Sequence, residues 1–563
     1  MRFGKAIGIL PGWKNALLAV AAALLLALAF PDFDLWPMAY VALVPLLWAI
    51  GREERTGASF VLGWIFGVVF FFVTCWWLTF APITYAGFPA ALAYFLLLCV
   101  TMIVAVFPGV FAAVTARLVR AFGPVGMLAV PFVWTATEFA RYWLTGNNWN
   151  ALGYSQAFAG NAVLASASVG GIYLVSASSA FPSTIIACGI IAYKQHLDDP
   201  KNAPYIALAF GWLFGWIALY FSKRMREELI KPADTNMRLV IIALVFVPLV
   251  LTIVLGFLFG TDHYVGERRN VAKVVAIQPN VPMSGLGYQK WRELRARHVE
   301  MAEGALAGLR AEEGYDPAMP VTVVFPESPM NFRYDEDEEF QAFIHAFARR
   351  NNVTVLFNSA EPNHADNKYY NSAVLVGPEG NEIGQYDKIY LVPFGEFVPA
   401  PVEMIVPAFV GSFSAGADYR LLPIGDARSG VMICFESHFG ELTREYARQG
   451  ADVIIEMTND GYLGPTPVLR QHLANAVFRA VETNRPVLRV TNVGITAYIT
   501  PKGQVLDAAP SYAEDVRVWE VPRSDGRQTF YVRFGDWFAW LSLVVSVALL
   551  AIAVVGRRRK RPV

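Results

Sequence analysis

Long apolar runs constrain this chain more than any other feature. They lie near residues 15–31, 36–50, 59–80, 88–116, 123–143, 165–193, 205–222, 238–259 and 536–555. A helix that crosses a bilayer needs about 20 apolar residues, with a usual range of roughly 17–25. Most of the runs reach that length, and 36–50 and 205–222 are the marginal ones. A soluble core has no use for so many uninterrupted apolar stretches. The expected architecture is therefore a polytopic α-helical membrane domain over residues 1–265, a soluble domain over 266–525, and a last spanning helix with a basic tail over 526–563. The run at Ala16–Phe30 could pass for a signal peptide. The turn PDFDLWP that follows offers no cleavage site, and the run leads into further spans, so it reads as an uncleaved first helix.

Lysine and arginine set the orientation, because loops rich in them stay in the cytoplasm. Arg2, Lys5 and Lys14 precede the first run, and GRRRKRPV follows the last, which places both ends inside. An even number of crossings is then required. The loop 223–238 carries Lys223, Arg224, Arg226, Lys231 and Arg238 and is also expected inside. Residues 51–56 fall inside, 145–161 outside, and 165–193 returns inside. The run 205–222 must then start and finish on the cytoplasmic side, as a re-entrant, interfacial or bundle-packed segment. Eight crossings result, with the soluble domain on the outer face of an inner membrane. Trp76, Trp77, Trp143 and Trp149 mark the outer ends as an interfacial aromatic belt. Glu138 and Arg141 lie within a span, where charge is costly unless paired or wet. Their spacing lets them satisfy each other, and a headgroup-binding role is the alternative.

Lysine plus arginine equals aspartate plus glutamate, 46 each, so no nucleic-acid partner is expected. Three of the four cysteines, Cys75, Cys99 and Cys188, lie in apolar runs. Cys434 stands alone in the soluble stretch, which therefore cannot close an internal disulfide. Within 270–522, short apolar strands such as VAKVVAIQ, VTVVFPE, VTVLFNSA, GVMICFES and ADVIIEMTND alternate with amphipathic stretches. Helices are expected around 289–311, 337–350, 440–449 and 469–484. That alternation is the pattern of a layered α/β domain.

Three residues stand at or just past strand ends, where such folds gather side chains into a site: Glu327, Lys388 and Cys434. Together they cover the needs of acyl transfer. A thiolate attacks, a carboxylate takes and returns its proton, and a lysine with a backbone N–H steadies the oxyanion. Each residue alone would pass for a surface group or a buried small hydrophobe. Their order and flanks are what make the set specific.

Those flanks are FPES around Glu327, YDKIYLVPFGEFVP around Lys388 and GVMICFES around Cys434, with TNDGYLG and LRQHLANAVFRAVETNRPVLRVTNVGIT beyond. The soluble stretch resembles the carbon–nitrogen hydrolase, or nitrilase, superfamily, which implies an αββα sandwich carrying a Glu–Lys–Cys triad. With the outer loop GNNWNALGYSQ and the opening IQPNVPMSGLGYQKW, nearly the whole chain is similar to the membrane-embedded apolipoprotein N-acyltransferase family of that superfamily. The resemblance implies supporting roles for Glu396 and Glu436, and for Trp291 as a loop residue that helps hold lipid. His472 and Asn459 are read as structural, with a place among the polar site residues as the alternative. The resemblance further implies a phospholipid acyl donor, a diacylglyceryl-apolipoprotein acceptor, no cofactor, no metal and action as a monomer. An amidase tethered to the membrane is the alternative. Two departures stand out. Phe435 follows the cysteine where tyrosine is common, and 195–237 is expanded by one apolar segment.

Overall fold

A computed structural model describes residues 9–196, 269–327, 330, 332–398 and 413–559. These fall into two units, one of residues 9–196 with 536–559 and one of 269–535.

In the first unit, four stretches are long and apolar enough to cross a membrane: Thr56–Thr74, Ala90–Thr145, Ala167–Lys194 and Trp537–Val555. Helix α1, Trp13–Ala27, has 15 residues and rises only about 22 Å. The run 36–50 is not one helix. It forms a 3-10 turn at Trp36–Tyr40 and then the nine-residue α2, Val44–Arg52, with a proline opening each piece. Proline fits the first turn of a helix but not its interior, so Pro37 and Pro45 start two short helices where the hydropathy run promised one. The run 88–116 also divides, into α4, Ala90–Val104, and α5, Val106–Phe122. The break precedes Pro108, which has no N–H to offer the carbonyl of Val104. The run 123–143 begins as a 3-10 turn, Gly123–Ala129, before α6, Val130–Thr145. Helix α7, Ala167–His196, is interrupted at Gly170 and Gly171. The runs 205–222 and 238–259 lie outside the described residues.

Helix α3, Thr56–Thr74, runs against α5 with no room for side chains at the crossing. A Cβ on Gly63 would come within 2.1 Å of the Pro108 carbonyl oxygen, so only glycine permits this approach. Glu138 and Arg141 spend their hydrogen bonds on other groups. Glu138 accepts from Trp134 Nε1 at 2.8 Å and Leu152 N at 2.7 Å. Arg141 donates to the Trp149 carbonyl at 3.0 Å and Asn148 Oδ1 at 3.1 Å, and lies over the Phe71 ring. The pair thus fastens the loop 147–152 to α6, which the spacing of three residues did not foretell.

The second unit is built on two sheets. The first has the order β13-β1-β2-β3-β4-β5, with β6, Phe413–Ser414, against β4. Its strands are β1 (Asn270–Gln278), β2 (Val321–Val324), β3 (Thr354–Asn363), β4 (Lys368–Val376), β5 (Glu382–Asp387) and β13 (Asp515–Pro522). The second has the order β12-β11-β10-β9-β8-β7, from β7 (Leu421–Ile424), β8 (Ala427–Ile433), β9 (Val453–Thr458), β10 (Val487–Thr491), β11 (Ala497–Ile499) and β12 (Val505–Leu506). The central strands β1–β2–β3 and β8–β9–β10 run parallel. They are buried throughout or nearly so, as parallel strands covered on both faces must be.

Helices α8 (Tyr288–Ala311) and α9 (Glu338–Asn351) pack on the first sheet through Leu306, Leu309, Ile344 and Phe347. Asp337 caps α9 by accepting from Phe340 N, with Glu338 and Glu339 in the first turn and Arg349 and Arg350 in the last. Helices α10 (Gly440–Arg448) and α11 (Val468–Thr483) cover the second sheet. Inner faces of the sheets meet through contacts such as Thr491 Oγ1 to Gln278 Oε1 at 3.1 Å. The result is the αββα sandwich expected of this stretch, with the four helices close to their expected positions. The C-terminal helix α12 is Trp537–Arg559.

Candidate active site

Glu327 lies three residues beyond β2, Lys388 follows β5 directly, and Cys434 follows β8 directly. Parallel register and face-to-face packing bring these ends together. Lys388 is fully buried, with Nζ 2.9 Å from Glu396 Oε1 and 3.9 Å from Glu327 Oε1. Cys434 is an intermediate-exposure residue whose buried thiol feels the charges of both Glu327 and Lys388. The three residues singled out from the sequence thus share one site.

Glu327 is held from both sides. Its Oε1 accepts from Asn371 Nδ2 at 3.0 Å and its Oε2 from Asn459 N at 3.2 Å. Asn371 also donates to Glu396 Oε1 at 2.7 Å, so one amide group separates the two carboxylates. Its own oxygen is fixed by Asn358 Nδ2 at 2.7 Å. Glu396 closes the loop after Lys388 by accepting from Val392 N at 2.8 Å. Asn371 was not apparent from sequence. Its one local signal is an amide inside the strand KYYNSAVLV, at a position where a central strand usually buries carbon. Asn459, read as structural, reaches Glu327 through its backbone.

Glu436 ties the cysteine turn to the lysine loop. Its Oε1 accepts from Tyr386 Oη at 2.7 Å, Ile389 N at 2.7 Å and Tyr390 N at 3.1 Å, and its Oε2 from Ile433 N at 2.8 Å. Trp291 is not brought to the triad by any of its contacts. Its Nε1 donates to the Met330 carbonyl at 3.2 Å, and its ring packs edge-on against Phe332 with Arg295 over its face. Phe435 stacks on His438 and meets Phe439 edge-on, so the departure from tyrosine here joins an aromatic cluster.

Charge placement follows from burial and neighbours. Burial pushes the Cys434 thiol well above its ordinary range. Glu327 adds to this, and Lys388 opposes it. Burial likewise raises Glu327, against the pull of Lys388. Burial alone would lower Lys388, but Glu396 and Glu327 outweigh it and keep the ammonium charged. Burial alone would raise Glu396, but Lys388 and the hydrogen bonds from Val392 and Asn371 hold it below the ordinary range. Burial thus favours the neutral form of the thiol, with the Lys388 cation alongside. Glu396 is the nearer counter-ion of that cation, 2.9 Å from Nζ against 3.9 Å for Glu327. Among the described residues no cluster of metal-ligating side chains is present.

An αββα sandwich with a thiol, a carboxylate and a lysine at its strand ends is the architecture of the carbon–nitrogen hydrolase class, and the carbon–nitrogen hydrolase family model matches residues 286–531. The model for the apolipoprotein N-acyltransferase N-terminal domain matches residues 22–185. The apolipoprotein N-acyltransferase of Geobacter metallireducens is 31% identical over 96% of this chain and 95% of its own length. That of Azotobacter vinelandii is 30% identical over 98% and 97%. Among solved structures, the nitrilase-superfamily protein Nit3 of Saccharomyces cerevisiae is 17% identical over 45% of this chain and 91% of its own, with a TM-score of 0.34. The chain belongs to the apolipoprotein N-acyltransferase family.

Proposed function

We propose that this protein moves a fatty acyl group from a membrane phospholipid, through a thioester on Cys434, to the N-terminal amine of diacylglyceryl-cysteine lipoproteins. The observation that carries the reading is the convergence of Glu327, the buried Lys388 ammonium 3.9 Å from its carboxylate, and the Cys434 thiol that both charges act on, in a chain of this family. Glu327 takes the thiol proton as sulfur attacks the ester carbonyl. Lys388 Nζ and the Phe435 N–H stabilise the tetrahedral oxyanion. Its collapse expels the lysophospholipid alkoxide, which takes the proton back from Glu327. The lipoprotein amine then attacks the thioester, Glu327 receives the amine's proton, and the thiolate leaves and is reprotonated. The membrane-spanning helices, whose N-terminal stretch matches the acyltransferase model, favour a lipid donor over the tethered-amidase alternative.

The Lys/Arg distribution further supports an inner-membrane enzyme whose catalytic unit faces the periplasm. The test of the reaction is incubation with acyl-labelled phospholipid followed by gel analysis. A hydroxylamine-sensitive adduct should form on the wild type and be absent from Cys434→Ala. An adduct that survives in Cys434→Ala would remove Cys434 as the nucleophile.

A further inference from the structure

Beneath Cys434 lies a buried set of charged side chains that these steps do not use: Glu456 in β9, Asp460 just beyond it, His472 on α11 and Arg489 in β10. Arg489 pairs with both carboxylates, its Nη1 with Glu456 Oε1 at 2.5 Å and its Nη2 with Asp460 Oδ2 at 2.8 Å. His472 Nδ1 lies 2.7 Å from Asp460 Oδ1. Its Nε2 lies 3.1 Å from the carbonyl oxygen of Cys434 and 3.4 Å from Glu456 Oε1. Arg489 Nη2 is 3.3 Å from the same Nδ1, a longer contact than its bond to Asp460.

Each ring nitrogen thus has an oxygen acceptor as its nearest partner, and a carbonyl or carboxylate oxygen cannot donate. The ring nitrogen nearest Cys434, Nε2, can donate to that carbonyl. Burial alone would raise Asp460, but Arg489 and His472 hold it below its ordinary range, so its charge persists. Packing fixes Asp460 in place, because a Cβ on Gly494 would come within 2.2 Å of its Oδ2.

The carbonyl that His472 holds belongs to a particular peptide group. The C=O of Cys434 and the N–H of Phe435 are two ends of one planar unit, and that N–H is the backbone donor to the oxyanion in the reaction above. Cys434 is in the left-handed region at φ +54, which a side-chain-bearing residue adopts only where its surroundings enforce it. We propose that His472 is a positioning residue for the oxyanion donor, holding and polarising the Cys434–Phe435 peptide group so that its N–H meets the developing charge. Donation to a carbonyl strengthens the N–H at the other end of the same amide. The inference rests on the transfer mechanism proposed above.

The test compares His472→Gln with His472→Asn in the full-length protein in membranes. The Gln amide nitrogen can stand where Nε2 stands. The Asn amide stands nearer Nδ1 and cannot reach the carbonyl. Acylation of Cys434 by labelled phospholipid should slow by roughly 10- to 100-fold in His472→Asn, a fraction of what deleting an oxyanion donor costs. It should stay within about tenfold of wild type in His472→Gln, with KM for the lipid unchanged in both. Alkylation of Cys434 by iodoacetamide builds no oxyanion and should proceed at the wild-type rate in all three. Should His472→Asn fail to accumulate, Asp460→Asn, which leaves the ring in place but replaces the carboxylate 2.7 Å from its Nδ1, carries the same comparison. Equal loss in the Gln and Asn variants, unchanged acylation in His472→Asn, or alkylation falling in step with acylation would overturn the proposal. A wild type that alkylates but never acylates would overturn the transfer reading, and the inference with it.

Discussion

Asn371 offers the sharpest test of how the site divides its charge. Its side-chain amide points one hydrogen toward Glu327 and one toward Glu396, at 3.0 and 2.7 Å. In Asn371→Asp, an acceptor replaces both donors and a third carboxylate faces the other two. A hydrogen bond to a charged group is worth about 1.5–3 kcal/mol, so the two lost bonds amount to roughly 3–6 kcal/mol. Divided between the two carboxylates, about 1.5–3 kcal/mol falls on Glu327, which is about 1–2 pH units of added proton affinity at 1.36 kcal/mol per unit.

The sign follows from the mechanism. Glu327 must be ionised to take the thiol proton. Burial already raises its pKa, and the substitution raises it further. The acidic limb of the kcat/KM profile for acyl transfer should therefore move alkaline by about 1–2 units, and activity on that limb should drop about 10- to 100-fold. Asn371→Leu removes the donors without adding charge and should shift the limb less. The assay is acyl-adduct formation with labelled phospholipid from pH 5 to 9. An unmoved acidic limb in Asn371→Asp would show that Glu327 is not the group whose ionisation limits acylation.

Other substitutions probe the remaining parts. Glu327→Gln should lower acylation about 10²- to 10⁴-fold, and Lys388→Ala about 10²- to 10³-fold, as lost proton transfer and lost oxyanion stabilisation require. A wild-type rate in either would remove that role. Burial raises Glu436 to about 7 from an ordinary 4.5, so the folded protein binds this proton more tightly than the unfolded chain. Its contribution to stability is present below about pH 4.5 and is lost as pH rises to 7. The wild type should lose roughly 3 kcal/mol relative to Glu436→Gln across that window, read as the difference in unfolding midpoint at several pH values. Parallel curves would refute it. Single cysteines at Asp198 and Ala233, in a background without the native four, should both resist an impermeant thiol reagent in spheroplasts, while one at Asn363 reacts. Opposite labelling of 198 and 233 would end the eight-crossing topology.

What could be read from the sequence and what could not divide along contact distance in the chain. Glu327, Lys388 and Cys434 were legible because each sits in its own strand-end motif, and for Glu327 and Cys434 the strand before it announces itself by a buried apolar run. Apolar runs of the helical unit were legible from local hydropathy. Its interruptions at Pro37, Pro45 and Pro108 were less so, because hydropathy counts carbon and takes no account of a missing N–H. Asn371 was invisible. Its partners Glu327 and Glu396 are 44 and 25 residues away, and nothing within β4 says that two carboxylates will converge on it. His472 was visible as a polar residue on an apolar helix, and a structural reading was the natural one. Only the fold shows that its ring meets the carbonyl of the nucleophile across 38 residues.

These two cases share a physical cause. A buried charge is tolerable only when distant parts of the chain deliver its partners together, so residues that set the electrostatics of a site are those least marked by local pattern. The groups that form and break bonds can be named from motifs. The groups placed around them, here Asn371 between two carboxylates and His472 against the carbonyl of Cys434, emerge only when separate strands and helices of each layer come together.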